Sequence, residues 1–272
     1  MPSTLAPAVD KSIHIVHAAE QVTLGSSVTP QPTATGDVVL VHTSDLHVED
    51  GSVGRYHGLL GLGAVLQKAQ SLSADIVLLA GDTFDNHRVS QTMLQRTREV
   101  LASARVPVVL LPGNHDSILP ECLFRRAGLD ELKHVHVLGV THSEAIIFVE
   151  HDLEIRGQAL YGFADMAPLR APSPRTARWQ IVMAHGHYVP PHEWDAQSHR
   201  AWRISDAALA ATGADYVALG HWDRATPVGD GTVPAYYSGS PDLAGTVNVI
   251  RLNPESGVSV MREPLHSTWG SD

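Results

Sequence analysis

Three continuous apolar runs, Val38-Val39-Leu40-Val41, Ile76-Val77-Leu78-Leu79-Ala80 and Val106 to Leu111, limit most strongly what this chain can fold into. A strand with one wet face alternates apolar and polar side chains, so an unbroken run marks a strand covered on both faces. Between the runs, Leu59, Leu62, Leu66 and Ala69 recur at helical spacing. Ser90 is placed to cap a second helix that turns Leu94 and Leu101 inward. Buried strands alternating with amphipathic helices predict an α/β architecture. Two further runs, Ile181 to Ala184 and Tyr216 to Leu219, flank a short helix bracketed by Ser205 and Gly213. Residues 134–138, 144–149, 153–157, 234–238, 246–251 and 257–263 read as additional strands. His134 and His136 alternate with apolar neighbours and are expected on the wet face of theirs. No internal repeat is visible, and 272 residues fit one large domain, 37–272. Residues 1–36, rich in Ser, Thr, Pro and Ala, form an extension, either partly disordered or adding an edge strand near Ile13-His14-Ile15.

The residues just past the runs set the second constraint. Five runs end at residues of metal-ligating type: Asp45 and His47, Asp82, Asn114 and His115, His185, and His221. Ligand sites of open α/β sheets lie beyond the carboxyl ends of the strands, so these side chains converge if their strands are neighbours. Asp45 and His47 are two apart, a spacing that on a strand points both to one face. Carboxylate, imidazole and amide donors without thiolate suit Mn, Fe or Zn. Six or more such donors exceed one tetrahedral site and fit two ions bridged by a carboxylate.

Asp45-Leu46-His47, Gly81-Asp82-Thr83-Phe84-Asp85, Gly113-Asn114-His115-Asp116, His185 and Gly220-His221 resemble, in order, the signature of the calcineurin-like metallophosphoesterases. Ala218-Leu219-Gly220-His221 with Tyr237-Ser238-Gly239-Ser240-Pro241 is most similar to the branch that holds the Mre11/SbcD repair nucleases. The resemblance implies a four-layer αββα sandwich with two central mixed β-sheets. It implies two divalent ions, most simply Mn, with Fe or Zn as alternatives. Asp45 and His47 would hold the first ion, Asp82 would bridge, and Asn114, His185 and His221 would hold the second. A metal-bound hydroxide would attack phosphorus in line, with His115 protonating the leaving oxygen. Asp116 would either orient His115 or serve the turn. The family's G-H-x-H block departs here to Gly220-His221-Trp222-Asp223. Asp223 either completes the first site with a carboxylate or is a turn residue, with water or another imidazole, such as His187 or His57, in its place. His187 is otherwise expected to touch substrate phosphate, as is Arg88.

Composition narrows the partner. A net charge of −10 offers no general footprint for nucleic acid, which stays a possible but unfavoured partner. Few residues follow Pro241, so the C-terminal segments implied by the nuclease branch are not expected. A small or nucleotide phosphodiester, with a phosphomonoester as a variant, is the favoured substrate. A DNA or RNA nuclease is the alternative, and a non-catalytic scaffold a distant third. In the segment Tyr188 to Arg203, Trp194, Arg200, Trp202 and Arg203 either stack and clamp substrate or fold the loop onto the core. One cysteine, no long apolar span and no secretory leader suggest a cytoplasmic protein without membrane contact. Oligomeric state is not legible.

Overall fold

The computed structural model describes residues 36–51, 57–162, 166–170, 174–194 and 201–265. The predicted extension therefore lies outside the described residues, apart from Gly36. In chain order the first half comprises β1 (Val38–Thr43), α1 (Gly58–Ser71), β2 (Ile76–Ala80), α2 (Gln91–Ala102), β3 (Val108–Leu111), α3 (Leu123–Arg126) and β4 (Val135–Val137). There follow β5 (Ala145–Phe148), β6 (Leu153–Gly157), β7 (Trp179–His185), β8 (His187–Tyr188), β9 (Arg203–Ile204), α4 (Asp206–Ala211) and β10 (Tyr216–Gly220). The chain closes with β11 (Thr226–Val228), β12 (Ala235–Tyr237), α5 (Pro241–Ala244), β13 (Thr246–Asn253) and β14 (Gly257–Pro264).

The strands make two six-stranded mixed sheets. One runs β14-β13-β1-β2-β3-β4, the other β11-β12-β10-β7-β6-β5, and β8 pairs with β9 alone. The unbroken apolar runs are explained by which way their side chains go. Val39, Val41, Val77, Leu79, Val108 and Leu110 face α1 and α2, packing against Leu62, Val65, Leu94 and Leu101. Their alternates, Leu40, Ile76, Leu78, Val109 and Leu111, face the second sheet and meet Ile155, Ile181, Met183 and Ala218. On that sheet's far side Val217, Leu219 and Ala184 pack with Leu209 of α4 and with Tyr188 and Ile204 of the small ribbon. Helices, sheet, sheet and a thin helical layer thus form the αββα sandwich. Truncating a fully buried inter-sheet side chain such as Leu78 to alanine should cost about 2–5 kcal/mol.

Two helix caps agree with the sequence reading. Ser90 Oγ accepts from Met93 N, and Ser205 Oγ from Ala208 N, with Gly213 left-handed after α4. His134 and His136 differ from expectation, being half-buried rather than wet. His136 packs edge-on against Phe148 and His142, and burial lowers its pKa.

The sheets close up at one end. A methyl on Gly220 would sit 1.8 Å from the carbonyl oxygen of Ala80, so only glycine lets β10 approach β2 there. Between them His42 of β1 meets the Tyr216 hydroxyl of β10 at 2.9 Å, and Asn248 of β13 reaches the same hydroxyl. Burial holds the His42 ring neutral, its pKa lowered to about 3 although a Leu219 backbone bond opposes the shift.

Candidate metal centre

Four loops meet where the sheets converge. The loop after β1 lies along the loop after β2, with Asp45 N donating to Gly81 O, His47 N to Asp82 O and Val48 N to Thr83 O, all at 2.9–3.0 Å. Asp45 and His47 are therefore not strand residues, and the same-face argument from their spacing does not apply. β1 stops at Thr43, and both take left-handed backbone, φ 55° and 49°. Asp82 (φ 50°) and His221 (φ 109°) do the same. Such conformations cost on the order of 1–3 kcal/mol each in non-glycine residues and collect where function over-determines the backbone.

Two buried carboxylates strap the loops reciprocally. Asp82, after β2, accepts from His115 N at 2.9 Å. Asp116, after β3, accepts from Thr83 N, Phe84 N and Gly113 N at 2.7–3.1 Å. Of the two roles expected of Asp116, these bonds serve the turn: its carboxylate is taken up by backbone N–H groups. Burial, reinforced by the charge of Asp82, pushes the Asp116 pKa up to about 7 against those hydrogen bonds. A Cβ on Gly113 would lie 2.1 Å from Asp82 Oδ1, which accounts for the glycine of that motif.

Asp82 is also the hub of the donor set. With His185 and His221 it forms one group whose ligand atoms lie within 4.8 Å of one another, and with His47 and His115 a second. His185 Nε2 stands 3.2 Å from Asp82 Oδ2 and 2.9 Å from Asn114 Oδ1, while His221 Nδ1 is 3.1 Å from the same Asn114 oxygen. His185 Nδ1 is 3.0 Å from the Ala80 carbonyl, a contact that fixes the ring and leaves Nε2 aimed at the centre. Burial alone would raise the Asp82 carboxyl, but His185 and then His115 hold it well below the ordinary carboxylate range. Burial alone would likewise lower His185, yet Asp82 and Asp45 lift its pKa to about 9. Oxygen and imidazole donors converging this tightly around one carboxylate fit hard or borderline divalent ions.

The second group is wetter. The His47 and His115 side chains are 22% and 42% exposed, against 0% for His185. Asp85 Oδ1 lies 3.2 Å from His47 Nδ1, an ion-pair distance not aligned as a hydrogen bond. The Asp85 carbonyl is 2.6 Å from His115 Nδ1. Asp85 is thus the partner of both rings. It stands in the Gly81–Asp85 block, but sequence alone gives it no role. Asp45 stands in neither group but is buried next to the enclosed one: its carboxylate accepts from His221 N at 2.9 and 3.1 Å and from Ser44 Oγ at 2.5 Å. Burial raises its pKa, against the charge of His185.

A profile of the calcineurin-like phosphoesterases matches residues 38–224, which carry every residue of this centre. The chain belongs to that family. It is therefore a metal-dependent hydrolase acting on phosphoric esters. No curated protein matches it in sequence. Among solved structures it is similar to TT1561 of Thermus thermophilus, at 14% identity and TM-score 0.56, covering 85% of this chain and 100% of that one. It is also similar to a provisionally named 5′-nucleotidase from Staphylococcus aureus in complex with alpha-ketoglutarate, at 14% identity and TM-score 0.54. That likeness covers 87% of this chain and 56% of the other. At such identities the likeness is one of fold.

Other expected residues fall less simply. Asp223 is exposed and stands in neither ligand group; its carbonyl accepts from Ser240 N. The two-residue spacing aligns side chains only on a strand, and β10 has ended at Gly220 before the left-handed His221. His57 does not take its place: it stands in neither group, 3.6 Å from Glu49 and 3.8 Å from Asp242. His187 lines an open cavity of about 340 Å³ with His221, Trp222, Asp223 and Arg224. Arg88 is exposed, its backbone N–H bonded to Asn86. Arg203 lies over the Trp194 ring at 3.8 Å and bonds the Trp194 carbonyl, so this pair is engaged with itself. Arg200 lies outside the described residues. Among those residues no helix is long and apolar enough to cross a membrane.

Proposed function

We propose that the protein is a dinuclear phosphodiesterase acting on a small or nucleotide substrate. The observation that carries this reading is the membership of Asp82 in both ligand groups. One carboxylate common to two donor clusters is what a pair of ions in a single centre requires. Asp82, Asn114, His185 and His221 would hold one ion, and Asp45, His47 and Asp82 the other. Mn is the first choice, because the donors are oxygen and imidazole without thiolate. Such ions, when bound, lower the pKa of water and offset charge on phosphoryl oxygens.

The chain's own residues supply the rest. His115 Nδ1–H donates to the Asp85 carbonyl, which leaves Nε2 as the nitrogen from which a protonated ring would deliver its proton to the leaving oxygen. Asp85 steadies both His47 and His115. Asp116 keeps the two central loops in register, and the Ser44 and His221 bonds hold the Asp45 carboxylate in place.

A net charge of −10 favours a small phosphodiester over a duplex. The second reading is an SbcD-like nuclease. It is favoured by the Tyr237-Ser238-Gly239-Ser240-Pro241 block, whose Ser238 is buried against Ser44 at 3.1 Å beside the centre. A lone buried Cys122 fits a reducing, cytoplasmic setting. The deciding experiment is a Mn-dependent panel of bis(p-nitrophenyl) phosphate, phosphomonoesters, cyclic nucleotides, dinucleotides, and single- and double-stranded DNA. Turnover confined to small diesters is expected. Preferential degradation of long duplex at ~0.15 M salt would replace this reading with the nuclease.

A further inference from the structure

Beside the centre runs a line of side chains that the ligand set does not use. Trp222 and Tyr237 stack face to face, with centroids 4.5 Å apart and planes 8° from parallel. Tyr237 is fully buried and fixed at its hydroxyl, which donates to the Gly186 carbonyl at 2.6 Å and accepts from Tyr188 N at 2.8 Å. The stack holds the indole plane, and Trp222 Nε1–H donates to His187 Nδ1 at 3.0 Å. His187 is anchored through its backbone as well, its N–H bonded to the Trp202 carbonyl at 2.9 Å.

An indole nitrogen can only donate, so Nδ1 of His187 must accept. The proton of the ring then sits on Nε2. The ring stands edge-on to His221, centroids 5.9 Å apart and planes at 88°, yet His187 belongs to neither ligand group. It lies next to the ions' donors rather than among them. Together with Trp222 it lines the cavity of about 340 Å³ and a second of about 330 Å³ that is also lined by Tyr188, Pro190 and Val228.

We propose that His187 is an oxyanion donor, giving an Nε2–H hydrogen bond to a non-bridging phosphoryl oxygen, and that Trp222, stacked on Tyr237, is the positioning residue that fixes this tautomer. The inference rests on the phosphoesterase reading above and adds the recognition of the substrate's phosphoryl group.

Two measurements test it. Two-bond ¹H–¹⁵N correlation spectra of protein labelled at histidine nitrogen, with Zn as a diamagnetic ion, report which nitrogen of His187 carries the proton. Affinity of the Mn-loaded protein for inorganic phosphate reports the donor. Wild type should carry the proton on Nε2, and Trp222→Phe, which keeps the stack but removes the N–H, should lose that single tautomer. Phosphate affinity should fall about tenfold in His187→Ala, the scale of one hydrogen bond to a charged oxygen. His187→Gln, whose amide N–H replaces Nε2–H, should recover most of it. A proton on Nδ1 in wild type, unchanged phosphate affinity in His187→Ala, or a His187→Gln no better than His187→Ala would overturn the proposal. Should Trp222→Phe fail to fold, the His187 pair still decides. A wild type that binds phosphate through His187 but turns over no phosphodiester would count against the substrate reading and for the oxyanion role.

Discussion

The two ligand groups that share Asp82 are built from the same chemistry and differ in their access to water. Around His185, the donors Asp82 and Asn114 close to 2.9–3.2 Å, and the imidazole is fully buried. Around His47 and His115 the rings are partly exposed, and the Asp85 carboxylate lies 3.2 and 3.7 Å from their Nδ1 atoms. A buried ionisable group is costly unless it is paired, so the enclosed half satisfies itself internally before any ion arrives. The open half is partly exposed to solvent. The difference teaches that two donor groups sharing one carboxylate need not be alike, and the proposed pair of ions should therefore bind unequally.

The harshest test of the shared hub is to remove it. Asp82→Ala should lose both ions by elemental analysis and with them all measurable turnover. Asp82→Asn, which keeps an acceptor for His115 N, guards against simple misfolding. Retention of one full equivalent in both variants would separate the groups and break the bridge.

The next variant asks what the open half does. His115→Ala should keep both ions and lose about 10²–10⁴-fold in rate, the range of a general acid. The loss should shrink for p-nitrophenyl esters, whose leaving group needs little protonation. Loss of an ion instead would make His115 a ligand, as its grouping with His47 and Asp82 permits.

A smaller effect is expected at the carboxylate behind His47. Asp85→Asn should weaken the open site about 10–100-fold and spare the enclosed one, the usual cost of losing a partner behind a ligating histidine. Equal weakening of both sites, measured by Mn titration, would erase the distinction. Smallest of all should be Asp223→Ala. With its side chain outside both groups, the expected change in either affinity stays within about threefold, as for an exposed charge. A loss of one ion there would restore the ligand role read from the sequence.

The layout of the sandwich is legible because burial on two faces leaves a mark in sequence: Val38 to Val41 cannot alternate, and in the fold they do not need to. The convergence of Asp82, Asn114, His185 and His221 can be read from their places after such runs. The hidden part depends on backbone path. Asp45 and His47 reach the centre from left-handed turns, not from a strand face, and no pattern of residue types announces that. Asp116 stands next to His115 in sequence but spends its carboxylate on three N–H groups across the loops. Asp223 stands where the family pattern has a histidine, past the end of β10, and neither ligand group includes it. The Trp222–Tyr237 stack joins residues fifteen positions apart that neither motif nor periodicity relates.

The inequality of the two halves is tested most directly by titrating metal-free protein with Mn under calorimetry, in wild type, His185→Ala and His47→Ala. Two steps are expected, separated by at least about tenfold in affinity, which corresponds to roughly 1.4 kcal/mol. His185→Ala should abolish the tight step and His47→Ala only the weak one. A single class of equivalent sites, or loss of the tight step in His47→Ala, would contradict the account.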